Sequence, residues 1–132
     1  MRHPKLEIWE KRLKGVIDEL DEFLESIYGG KYRLHPARAR RGTTSNKAHD
    51  GLFDIVASFS IGAGSKYGRG YIVDVDFATL EQIPQKTIDE IRSITIQKLN
   101  EILPKYFPEK RLRADLDGNV VKIHGDLSLG EL

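Results

Sequence analysis

The chain has 132 residues, 39% of them hydrophobic and 31% charged, with 21 basic against 20 acidic side chains. This composition suits one globular core and excludes a disordered or fibrous chain and a histone-like polycation. Cysteine is absent, which excludes disulfides, thiolate metal sites and a cysteine nucleophile, and no window approaches the roughly 18 apolar residues of a membrane span. Met1 to Glu10 mixes charge with isolated apolar residues and has no signal-peptide stretch, so the expected address is the cytoplasm.

From Pro4 to Tyr28 the residues Leu6, Trp9, Leu13, Val16, Ile17, Leu20, Leu24 and Ile27 recur at steps of three and four, which predicts an amphipathic helix. Pro4 suits a first turn, and Gly29-Gly30 supplies a terminus. Lys31 to His35 reads as a short strand stopped by Pro36, and Pro36 to Gly51 as a long loop. Leu52 to Ile61 and Tyr71 to Leu80 each alternate between faces, and the glycine-rich segment Gly62 to Gly70 joins them as a hairpin with a loop expected to be mobile. A second helix follows Pro84, with Ile88, Ile91, Thr95, Leu99 and Ile102 on one face and Pro104 limiting its end. Leu112 to Leu116 and Val120 to Leu127 form a last hairpin turned by Asp117-Gly118-Asn119, and residues 128–132 are expected to fray. The predicted order is α-β-β-β-α-β-β. It defines an α+β single domain over 1–132, a two-layer sandwich of a mainly antiparallel sheet with two long helices on one face.

Chemistry concentrates in two loops and on two strands. Between Ser26 and His49 stand Lys31, Arg33, Arg38, Arg40, Arg41 and Lys47 with no Asp or Glu. Forked guanidinium groups and hydroxyls suit phosphate, although the plain reading of such a run is a solvated loop. In Gly62 to Gly70, four glycines accompany Lys66, Tyr67 and Arg69, so that backbone amides can approach an anion and the tyrosine offers a stacking surface. The segment is neither a Walker loop nor a dinucleotide fingerprint, and a connector is its plain reading. Asp74 and Asp76 share one strand face, and Asp54 on the neighbouring strand can join them. Clustered carboxylates suit Mg²⁺ or Mn²⁺, while a strand with one wet face presents the same pattern. His49 beside Asp50, and His124 two residues before Asp126, are candidate acid–base or metal-binding pairs, although no histidine has zinc spacing and ordinary surface or half-buried histidines are the plain reading.

Gly64-Ser65 followed by Asp74-Val75-Asp76 resembles the glycine-serine and paired-aspartate signature of the nucleotidyltransferase superfamily, over about a tenth of the chain. The resemblance implies triphosphate held by Gly64 and Ser65 at a helix start, metal held by Asp74 and Asp76, and a third acid at Asp115 or Asp117. Only eight residues separate Ser65 from Asp74, which leaves little room for that helix. The residues rank a binding module first, with Arg38, Arg40, Arg41, Lys47, Lys66 and Arg69 contacting nucleic acid or a nucleotide phosphate. A metal-dependent nucleotidyl or phosphoryl transferase using Asp54, Asp74 and Asp76 is the alternative. A homo-oligomerising subunit, joined through the first helix or an exposed strand edge, is the third reading.

Overall fold

The computed structural model describes residues 4–43 and 50–127, so Lys47, His3, His49 and the tail at 128–132 lie outside the described residues. The elements are α1 (Pro4–Tyr28), β1 (Phe53–Ser60), β2 (Gly70–Phe77), α2 (Gln85–Tyr106), β3 (Leu112–Asp117) and β4 (Val120–Gly125). The four strands form one sheet in the order β1-β2-β4-β3, antiparallel at every pair. Both helices lie on one face, α1 toward β1 and α2 toward β3. Among the described residues no helix is long and apolar enough to cross a membrane.

Helical spacing explains the first layer. Trp9, Leu13, Val16, Leu20, Leu24 and Tyr28 form the buried stripe of α1, and Ile91, Thr95, Leu99 and Ile102 that of α2. Both press on Phe53, Ile55, Val73, Ala114, Val121 and Ile123, the alternate residues of the strands, to make one core. Where α1 passes the end of α2, a Cβ on Gly15 would sit 2.6 Å from the Tyr106 ring. Glycine there lets the helices close, and Lys105 and Tyr106 reach Glu19 across the contact at 2.9 and 3.2 Å.

Two expectations are corrected. Residues 31–35 form no strand, which makes the order α-β-β-α-β-β. That segment reaches the sheet through a main-chain bond from His35 N–H to Ala78 O at 2.8 Å, while Pro36 withholds the next donor, so no ladder develops. Helix α2 also continues past Pro104 to Tyr106, and the Phe107 N–H still bonds to Leu103 O at 2.8 Å. A proline one turn from the C-terminus removes one donor without breaking that last turn. The final strand stops at Gly125, where φ is +121°.

The outer edge of β3 is held at its middle, at Ala114. Asn100 of α2 donates from Nδ2 to Ala114 O at 2.9 Å and accepts from Ala114 N–H at 2.8 Å, so an amide side chain stands where another strand would pair.

Candidate functional site

The predicted basic loop is fastened to the body of the protein by two of its own arginines. Arg38 donates from Nε to Gly51 O at 3.0 Å and from Nη2 to Asp50 O and Phe53 O at 3.2 and 2.9 Å. Arg41 Nη1 lies 2.6 Å from Asp21 Oδ1 and 3.3 Å from Asp50 Oδ1, and both carboxylates are 1% exposed. Asp50 also accepts the Gly42 N–H at 3.1 Å. Burial pushes the Asp21 carboxyl up to about 6, against the opposing pull of Arg41. Glu25 completes the attachment by accepting the N–H groups of Leu52 and Phe53 at 2.7 and 3.3 Å. Arg40 stands between the anchored pair, exposed, and among the described residues its side chain has no ion-pair partner.

The glycine-rich segment folds over the sheet face that the helices leave open. Gly62 has φ +73°, and a Cβ there would lie 2.0 Å from Gly68 O, so the two ends of the loop approach as only glycine permits. Ser65 N–H bonds to Gly62 O at 2.9 Å, and its hydroxyl donates to Gly68 O at 3.1 Å. Beneath them Lys122 of β4 is 1% exposed, with its ammonium donating to Ser65 Oγ and Gly68 O at 2.8 Å each and lying 2.9 Å from Asp117 Oδ2. Bonding from Lys122 brings the Asp117 carboxyl down to about 2. Two ammonium donors and the serine proton are thus hydrogen-bonded and the ammonium charge is paired with Asp117, so Ser65 with Lys122 forms a brace rather than a nucleophile–base pair.

Beside the brace, Tyr67 stacks on His124 with centroids 4.3 Å apart and planes at 19°. His124 Nε2 is 2.8 Å from Asp115 Oδ2, which Arg113 Nε approaches at 3.5 Å. The His124 bond first, and the Arg113 charge after it, lower the Asp115 carboxyl. His124 therefore pairs with Asp115 across the hairpin and not with the Asp126 expected from sequence. Lys66 Nζ lies 5.3 Å from the Tyr67 ring centroid, and Lys66 and Arg69 are both exposed.

The three aspartates do share the open face. Asp54 is directly across from Asp76, and Asp74 lies opposite Val56. Asp74 and Asp76 are exposed and Asp54 half-buried, and no group of three or more His, Asp or Glu side chains is gathered for a metal among the described residues. Gly64 and Ser65 lie in a connection between two strands, so the helix start implied by the resemblance is not there. Its suggested third acids, Asp115 and Asp117, already hold His124 and Lys122. Next to Asp74 and Asp76, the pairing of β2 with β4 stops at Val73 and the β3–β4 hairpin diverges. This opens a cleft of about 230 Å³ toward Arg92 and Thr95 of α2.

A family model described as "Uncharacterised protein" matches residues 4–125, and the chain belongs to that family. A relative from Borreliella burgdorferi, also described as "Uncharacterized protein", is 37% identical over 125 residues, which cover 95% of this chain and 98% of the relative. No solved structure matches the chain.

Proposed function

We propose that the protein is a small binding module for an anionic partner, nucleic acid or a nucleotide phosphate, and that Arg40, Lys66 and Arg69 make the contact. One observation carries this reading: these cations are exposed on loops whose neighbouring residues are fixed, by Arg38 and Arg41 in one case and by Lys122 and Ser65 in the other. A preset backbone lowers the ordering cost of binding, and exposed cations retain their capacity for phosphate. Arg38 and Arg41 leave the contact set because carbonyls and carboxylates of the chain already hold them.

The loops flank β1 at opposite ends, separated by about 23 Å for seven steps of about 3.3 Å each. An extended polymer spans that distance and a mononucleotide does not, which favours nucleic acid. Stacked Tyr67 at the second loop offers a surface to an unpaired base, so a single strand is the preferred form. A cytoplasmic location agrees with such a partner.

Fluorescence anisotropy with labelled single- and double-stranded oligonucleotides over a salt series tests the reading. Wild-type affinity is expected to fall steeply with salt, and Lys66→Glu with Arg69→Glu to reduce the log–log slope by about 2, near 0.7 to 0.9 for each lost phosphate contact. Absence of binding at low salt, or a slope the double variant leaves unchanged, overturns it.

A further inference from the structure

The two edges of the sheet are finished differently. Asn100 holds both main-chain groups of Ala114 in the middle of the outer edge of β3, whereas on β1, among the described residues, only Phe53 at the strand's start is held, its N–H by Glu25 and its O by Arg38. Ala78 N–H bonds to Leu52 O, so even-numbered residues of β1 turn their main-chain groups toward β2 and odd-numbered ones turn them outward. Among the described residues, no hydrogen bond reaches the outward N–H and C=O of Ala57 or Phe59. Beyond Asp54 this strand has no charge, proline or break in register to discourage pairing. Val56, Phe59 and, just past the strand, Ile61 are 49, 53 and 78% exposed.

We propose that β1 is a homodimerisation edge, on which a second copy of this chain pairs antiparallel about a two-fold axis at Ser58. Outward residues of one copy must meet outward residues of the other, and this axis sets Ala57 opposite Phe59 in two symmetric pairs, each with two main-chain hydrogen bonds. The side chains match in size. Ala57 and Phe59 border a groove of about 520 Å³ walled by Leu13 and Ile17 of α1 and by Ile55. Each Phe59 ring, which meets Tyr71 of its own chain edge-on at 5.6 Å, then also lies beside the small Ala57 of the other copy. An axis at Ala57 would set alanine against alanine and Phe59 against the already buried Ile55, leaving the groove unfilled.

Charge is compatible with a second copy. The paired stretch is neutral, and the groove-lining charges of α1, namely Glu10, Lys14 and Asp18, alternate in sign. Phe59, Val56, Ile61 and the groove wall form an apolar patch on each protomer, and burying about 500 Å² of it a side reaches the roughly 1,000 Å² total of a weak, concentration-dependent dimer.

Light scattering coupled to size-exclusion chromatography is expected to give a dimer mass for the wild type and a monomer for Phe59→Lys, a change at a position 53% exposed, with circular dichroism to show that the variant stays folded. The chain has no cysteine. Ser58→Cys therefore places one thiol beside its own copy, at the roughly 4.5 Å Cα separation of a non-hydrogen-bonded pair, where a disulfide closes. Mild oxidation is expected to give a covalent dimer from Ser58→Cys and not from Asp74→Cys, one strand further in. A wild-type monomer at millimolar concentration overturns the proposal. So does a dimer that survives Phe59→Lys while Ser58→Cys fails to cross-link.

Discussion

Asp21 and Arg41 show how an apparently unopposed cation is balanced. The carboxylate stands on α1, twenty residues before its arginine, so a count along the chain between Ser26 and His49 finds no acid while the fold supplies Asp21 from one side and Asp50 from the other. The basic segment was legible from sequence, but its neutralisation depends on the return of the chain to α1. The same burial has a consequence in pH. The Asp21 carboxyl at about 6 lies above its ordinary value of 3.8, so between roughly pH 4 and 6 the folded state keeps a proton that the unfolded chain has released. The associated stability is complete below that window and is lost as pH rises through it, a change of about 3 kcal/mol. Asp117, held down to about 2, contributes with the opposite sign and loses its contribution only below about pH 4, so the two are separable. Denaturant melts across this range are expected to show wild-type stability falling from pH 4 to 6 and the Asp21→Asn curve remaining flatter. The slope is the readout, because the variant also loses an Arg41 contact and shifts the whole curve. Parallel curves would remove Asp21 from the account.

At the scale of elements, both helices and the four strands follow from periodicity, because each buries one face and the alternation of Phe53, Ile55 and Ala57 or of Val73, Val75 and Phe77 records it. The segment at 31–35 mimics that alternation with Tyr32 and Leu34, which do pack against the core. A strand, however, needs a partner ladder, and the sequence carries no sign of the single bond to Ala78. The treatment of sheet edges is equally hidden, since Asn100 looks like an ordinary polar position on α2. Its two bonds to Ala114 hold the β3 edge to the helix, and Ala114 is 0% exposed. Asn100→Ala leaves a buried N–H and C=O unpaired, which costs about 1 to 3 kcal/mol, reduced slightly by alanine's better helix propensity. A lower urea midpoint with an unchanged m-value is the expected result. An unaltered midpoint would mean that water replaces the asparagine at no cost.

For the molecule as a whole, the least legible feature is closure of the glycine-rich segment over the open face. Alternation in Val120-Val121-Lys122-Ile123 assigns Lys122 to a wet surface, yet the loop from Gly62 to Arg69 buries it. Nothing local to β4 records a contact made by residues more than fifty positions earlier. The core itself is continuous, and Trp9, the single tryptophan, sits where its parts meet. Its ring lies 4.6 Å from that of Phe107, beyond the end of α2, and its Nε1 donates to Tyr71 Oη on β2 at 3.0 Å. One indole thus touches the start of α1, the exit of α2 and the middle of the sheet, so its environment changes only when those three separate. If the layers unfold together, tryptophan emission and far-ultraviolet circular dichroism trace one transition with a common midpoint in urea. An emission change that precedes the loss of helical signal would show the first turns of α1 leaving the sheet on their own, and the two-layer body would then unfold as two units instead of one.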